Sequence, residues 1–122
     1  MLDANTCIYL LSNSKPLLTR RVTECDAGSL GVSAIVFAEI ALGSAMGKAP
    51  SASLLDGFLL EVPMLAFDEA AARAYATLPF RRGSFDRLIA AHALSLGLTL
   101  VTTNVTDFAD IAGLRVEDWT AA

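Results

Sequence analysis

The chain has 122 residues, with 9 Lys and Arg against 13 Asp and Glu, one His and a formal charge of −4. That length holds one compact domain with a single core, so residues 1–122 read as one unit. Hydrophobic residues make up 54% and charged residues 18%, against roughly 25% charged in ordinary soluble domains. This excludes a disordered chain, and the acidic balance argues against a broad basic face that grips nucleic acid.

A short apolar start, Met1-Leu2, leads into Asp3, and residues 5–12 read as a helix. A second helix covers 15–25, with Pro16 tolerable in its first turn. Asp26-Ala27-Gly28 marks a turn and residues 30–33 a short strand. Ser33 is a good N-cap for the apolar helix 34–46. A helix around 51–60 precedes a strand over 62–67. Asp68 can cap the alanine-rich helix 69–78, which Pro79 stops. Ser84 can cap a helix over 85–96 that ends at Gly97, followed by a buried strand over 98–102 and a short one over 115–117. Short apolar strands alternating with helices predict an α/β domain with a mainly parallel sheet covered on both faces. In such folds ligands sit beyond the carboxyl ends of the strands. Asp3, Thr103, Asn104 and Asp107 all follow strands and are therefore candidates.

Cys7 and Cys25 have no metal-ligand spacing and cannot define a disulfide scaffold, so they read as reduced, partly buried thiols. No signal peptide pattern opens the chain. Residues 88–106 carry no formal charge, but His92, Ser95, Gly97, Thr102 and Asn104 interrupt them. The stretch reads as helix, glycine stop and strand rather than a membrane span. A cytoplasmic protein without membrane contact is expected.

Glu39 is the odd residue in Ala34-Ile35-Val36-Phe37-Ala38-Glu39-Ile40-Ala41-Leu42. A carboxylate there faces solvent, pairs with a cation or binds a metal, because burying it unpaired costs several kcal/mol. Asp86 stands in the first turn of its helix, where the macrodipole alone favours an anion. Asp107 can cap a turn, and Asp3 can be a plain loop residue. If the fold gathers all four, their repulsion is large: two charges about 4 Å apart cost on the order of 4 kcal/mol at an effective dielectric near 20. Such a cluster takes up protons or binds a hard cation, and oxygen ligands favour Mg²⁺ or Mn²⁺ over zinc. His92, in an alanine-rich helix, reads as a packing residue or a local hydrogen-bond partner.

Four segments in order resemble a known family. Met1-Leu2-Asp3-Ala4-Asn5-Thr6, Val32-Ser33-Ala34-Ile35-Val36-Phe37-Ala38-Glu39-Ile40, Phe85-Asp86-Arg87-Leu88-Ile89-Ala90-Ala91-His92 and Thr102-Thr103-Asn104-Val105-Thr106-Asp107-Phe108 resemble the motifs of PIN-domain ribonucleases. More specifically, they resemble the VapC-type toxins of toxin–antitoxin pairs, as does the ending Gly113-Leu114-Arg115-Val116-Glu117-Asp118-Trp119. The resemblance covers essentially the whole chain. It implies a PIN-like three-layer α/β/α domain and a divalent-metal RNA endonuclease. The implied metal, Mg²⁺ or Mn²⁺, is held by Asp3, Glu39, Asp86 and Asp107, and hydrolysis leaves a 5′-phosphate. It also implies an RNA substrate, a cognate VapB-type antitoxin that covers the acidic pocket, and homodimerisation.

Beside the pocket, Asn5, Thr103 and Asn104 match polar positions able to orient a carboxylate, a water or a phosphate. Arg81, Arg82 and Arg87 form a local basic patch that reads equally as phosphate contacts or as a solvated, ion-paired surface. Ala4 stands where many relatives carry Thr or Ser, which removes one hydroxyl; Thr6 is a candidate to compensate for it. The first strand is very short, and the segment from Tyr75 to Asp86 is compact. Gly43-Ser44-Ala45-Met46-Gly47-Lys48 faintly resembles a phosphate loop but is one residue short, and Ala49 replaces the needed hydroxyl, so it reads as a helix end. Two other readings stand beside the nuclease. One is a catalytically silent PIN-fold interaction module, which would be expected to lose an acidic position. The other is an aspartyl phosphotransfer or phosphatase domain, which needs a lysine after a late strand.

Overall fold

The computed structural model describes residues 1–81 and 84–121. In chain order it places α1 (Ala4–Ser12), α2 (Pro16–Thr23), β1 (Val32–Ser33), α3 (Ala34–Ala45), α4 (Ala52–Glu61), β2 (Met64–Leu65), α5 (Glu69–Tyr75), α6 (Phe85–Ser95) and β3 (Leu100–Val101). A 3-10 turn (Val105–Phe108) and β4 (Val116–Glu117) complete it.

The helices start where a small polar side chain can satisfy their free amides. Asp3 accepts from the Thr6 amide, Ser33 from Ile35, Ser51 from Leu54, Asp68 from Ala71 and Ser84 from Arg87. Pro16 occupies the first turn of α2, where its missing N–H is no loss. At the other ends, Asn13 closes α1 in the left-handed region (φ 53°) and Gly97 (φ 66°) follows α6, a conformation glycine adopts without strain.

All strand pairs are parallel. β1 pairs with β2 through Val32 and Met64, and β3 with β4 through Leu100 and Val116. Leu2 bridges both Val32 and Val101, which joins the pairs into one ladder in the order β2, β1, Leu2, β3, β4. The strands are shorter than the apolar runs 30–33, 62–67 and 98–102 predict. At β2 the reason is Pro63, which has no N–H to give the ladder and serves only as an acceptor, its carbonyl taking the Val32 amide at 3.1 Å. The chain runs outward from Leu2 through β1 to β2, then returns and runs the other way through β3 to β4. Right-handed crossovers along such a path put α1–α4 on one face and α5–α6 on the other.

Leu2, Cys7, Val36, Ala90 and Leu100 are fully buried and form the centre of the core, with Ile89, Val101 and Phe108 closing around them. Cys7 and Cys25 are both free thiols, and burial pushes the Cys7 thiol pKa far up, so it is inert packing. Among the described residues no helix is long and apolar enough to cross a membrane.

The reversal in strand order falls between Leu2 and β3, and their carboxyl ends open into the crevice where such sheets take ligands. The next residues along the chain are Asp3 on one side and Thr102-Thr103-Asn104 on the other.

Candidate active site

Asp3 sits at the centre of this edge. Its amide donates to the Val101 carbonyl at 3.1 Å, which ties it to β3, and its Oδ1 accepts the Thr6 amide at 2.9 Å. The carboxylate is 7% exposed, and capping α1 fixes its direction. Thr6 does not replace the hydroxyl missing at Ala4. Its Oγ1 donates to the Val101 carbonyl at 3.2 Å, so the hydroxyl pins α1 to β3 while the backbone amide holds Asp3.

Glu39 enters from α3. Val36 and Ile40 anchor the buried face of that helix, and Glu39, three residues after Val36, falls at the margin of the same face. Its side chain is half-buried, and Oε1 is buried without a hydrogen-bond partner. Burial pushes its pKa up, and the nearby Asp86 and Asp3 carboxylates add to the shift. Asp86, in the first turn of α6, behaves the same way. Burial raises its pKa, Asp3 and Asp107 raise it further, and Arg87 offsets part of this. Asp107 lies exposed on the 3-10 turn. The fold therefore brings the four sequence-selected acids into one electrostatic neighbourhood: Glu39 feels Asp86 and Asp3, and Asp86 feels Asp3 and Asp107.

As placed, the acids are gathered but not closed. Among the described residues no three His, Cys, Asp or Glu side chains converge tightly enough to grip one ion. The donor chemistry nevertheless suits a hard cation. All donors are carboxylate oxygens, one of them is buried and unpartnered, and burial together with the neighbouring carboxylates disfavours the ionised form of Glu39 and Asp86.

The polar residues around the acids divide. Thr102, which the sequence reading passed over in favour of its neighbours, is buried and accepts the Asn104 amide through Oγ1 at 3.0 Å. The Asn104 carbonyl in turn takes the Asp107 amide at 3.1 Å. Thr102 thus sets the bend that carries Asp107; the only sequence signal for it was a hydroxyl directly after an apolar strand. Thr103 is half-buried beside it, and the Asn104 side chain is exposed. Asn5 is exposed on α1 and shares a pocket of about 220 Å³ with Glu39, Gly43 and Lys48.

The arginine patch requires a correction. Arg87 is 2% exposed and is not available to a phosphate. Its Nη2 donates to both Asp110 carboxylate oxygens and to the Asp107 carbonyl, which makes it an internal strut between α6 and the Asp107 turn. Asp110, 23 residues away in sequence, was the partner that local spacing does not reveal. Arg81 is exposed and approaches Asp110 at 3.8 Å, while Arg82 lies outside the described residues.

His92 has the packing role expected of it. It is buried, its Nδ1 is 2.8 Å from Ser33 Oγ, and its ring meets Phe67 edge-on at 5.5 Å. Ser33 also caps α3, so His92 braces the start of the helix that carries Glu39.

Known proteins share this fold. A family model described as PIN domain matches residues 1–114. The chain is similar to the tRNA(fMet)-specific endonuclease VapC of Shigella flexneri, 36% identical over 98% of this chain and 96% of the relative. It is also similar to ribonuclease VapC2 of Rickettsia felis, 31% identical over 98% of this chain and 96% of the relative. Among solved structures, DNA-bound VapBC from Salmonella typhimurium superposes with a TM-score of 0.84 at 30% identity, covering 98% of this chain and 96% of that one. With the family model matching residues 1–114 and full-length relatives at 31–36% identity, the chain belongs to the PIN-domain family.

Proposed function

We propose that this chain is a divalent-metal-dependent endoribonuclease and the toxin of a toxin–antitoxin pair. The observation that carries the reading is the buried, unpartnered Glu39 Oε1 beside Asp3 and Asp86, a carboxylate set that burial and mutual repulsion leave short of positive charge. Asp3, Glu39, Asp86 and Asp107 are the residues that would hold Mg²⁺ or Mn²⁺. Such an ion, when bound, supplies a water nucleophile at neutral pH and offsets charge on the phosphate under attack.

The chain's own contribution is placement. Asp3 is fixed by the Thr6 amide and the β3 ladder, so it serves as the rigid reference for the other three. Glu39 on α3, Asp86 on α6 and Asp107 on the 3-10 turn supply the remaining carboxylates. Asn5, Thr103 and Asn104 line the approach and orient phosphate oxygens or waters. No imidazole takes part: the only one, His92, is buried against Ser33 and Phe67. The similar proteins bear ribonuclease names, and the structural neighbours are VapBC complexes. By the same reading, a VapB-type antitoxin places a basic segment over this acidic edge, with an inserted Arg as its natural probe, and the active form is a homodimer.

An aspartyl phosphotransferase would need a lysine after a late strand. Lys15 instead precedes α2 and Lys48 follows α3. The purified chain incubated with RNA and Mg²⁺ or Mn²⁺ should produce discrete fragments with 5′-phosphate ends. Intact RNA with both metals would overturn the proposal.

A further inference from the structure

Lys48 belongs to the segment that sequence reading dismissed as a failed phosphate loop, and the structure bears out the dismissal of the loop. α3 ends at Ala45, Gly47 turns the chain at φ 86°, and the Lys48 amide donates back to the Gly43 carbonyl at 2.8 Å. This closure does more than end a helix. It folds the Lys48 side chain over Gly43, such that a Cβ at Gly43 would lie 3.9 Å from Lys48 Cβ and 4.0 Å from its Cδ. Gly43 is one helical turn beyond Glu39, so the lysine is directed along the helix flank that carries the site carboxylate. There it lines the pocket of about 220 Å³ whose other walls include Asn5 and Glu39.

Its charge is otherwise uncommitted. Among the described residues, the ion pairs use Arg20, Arg21, Arg73, Arg81 and Arg87, and Lys15 lies 5.2 Å over the Tyr9 ring. Lys48 is exposed, and among the described residues it has no carboxylate within ion-pair distance. With Arg87 withdrawn into the interior, Lys48 is, among the described residues, a free cation that shares a pocket with a site acid.

We infer that Lys48 and Asn5 form a phosphate subsite for a nucleotide flanking the cleaved bond, the ligand being the backbone of single-stranded RNA. The inference rests on the nuclease reading above and adds to it the side from which the strand enters. An ammonium and a carboxamide at this spot meet a phosphate without reading a base, so the subsite contributes affinity rather than sequence choice.

The test uses the full chain in two settings. Binding of a short single-stranded RNA is measured in the Asp86→Asn background, where cleavage does not interfere, and steady-state cleavage is measured in the otherwise native chain. Lys48→Gln should weaken binding about fivefold, the scale of one exposed charge contact, and flatten the salt dependence of log K by about 0.7. It should raise KM in proportion with little change in kcat. Lys48→Arg should restore most of both, and Lys15→Gln should leave both at the native value. An unchanged salt slope and KM in Lys48→Gln would overturn the subsite while leaving the nuclease reading intact. A loss of kcat that Lys48→Arg does not recover would also overturn it, as it would assign the residue to holding α3. If the native chain fails to cleave RNA, the nuclease reading fails by itself, and the binding arm still decides whether Lys48 contacts RNA.

Discussion

Arg87 on α6 grips Asp110 beyond the 3-10 turn, with one guanidinium nitrogen 2.8 and 3.1 Å from the two carboxylate oxygens and 3.2 Å from the Asp107 carbonyl. A single buried side chain thereby ties the helix that presents Asp86 to the turn that presents Asp107. The pairing also explains why the Asp110 carboxyl sits below the usual carboxylate range.

Disrupting this strut from its two ends should have unequal effects. Asp110→Ala leaves the Arg87 guanidinium buried and unpaired, whereas Arg87→Met substitutes an apolar chain of similar reach. The Tm of Asp110→Ala should therefore fall further than that of Arg87→Met, measured by differential scanning calorimetry. Both should lose cleavage activity by about tenfold or more, because Asp107 loses its placement. Equal Tm losses would show that the charge pair is not what the fold depends on.

The raised pKa values of Glu39 and Asp86 carry a stability cost with a defined sign. A carboxyl that holds its proton more tightly when folded than when unfolded favours folding below the unfolded value, near 4, and loses that contribution as pH rises through the folded value. Glu39→Gln and Asp86→Asn should accordingly melt a few degrees above the native chain at pH 7.5. The advantage should vanish as pH falls toward 4. A constant offset across that range would mean that the ionised carboxylates are not what destabilises the fold.

His92 titrates in the opposite sense. Burial holds its imidazole below the usual value, and the neighbouring Asp68 offsets part of this. The group thus favours folding above the ordinary histidine pKa of about 6.5, and that contribution is lost as pH falls through the depressed folded value. Its ring resonances in NMR should report a neutral tautomer at pH 6.5, and His92→Phe should show a shallower stability loss between pH 6.5 and 5. A His92 that protonates at 6.5 or above would contradict the buried contact with Ser33.

Thr6 provides a test of positioning without charge. Thr6→Val removes the hydroxyl donated to the Val101 carbonyl but keeps the backbone amide that caps Asp3. The expected loss is about 1 kcal/mol, read from urea denaturation, because the Asp3 amide still satisfies that carbonyl. Cleavage should remain near native. A large loss of activity would give the hydroxyl a role at the site.

Much of this was legible in the sequence because it depended on neighbours in the chain. Ser33, Asp68 and Ser84 announced helix starts, since each can bond an amide two or three residues ahead. Glu39 was visible as the one carboxylate in an apolar helix, and the chance that the four acids meet followed from their positions after strands and in first turns. What depended on distant partners was not legible. Arg87 reads as a surface base until Asp110 is seen beside it. The Asp107 turn has no periodicity to betray it and is shaped by Thr102. Lys48 acquires meaning only when α1 brings Asn5 to the other side of its pocket.

The central claim is that the gathered carboxylates act through a divalent metal, and Asp86→Asn tests it most directly. RNA cleavage by the native chain and by this variant should be followed side by side with Mg²⁺ or Mn²⁺ and again in EDTA, with circular dichroism to verify the fold. A folded variant without detectable cleavage, and a native chain silenced by EDTA and restored by the metal, are the results this account predicts. Full activity in Asp86→Asn, or cleavage by the native chain that persists in EDTA, would contradict it.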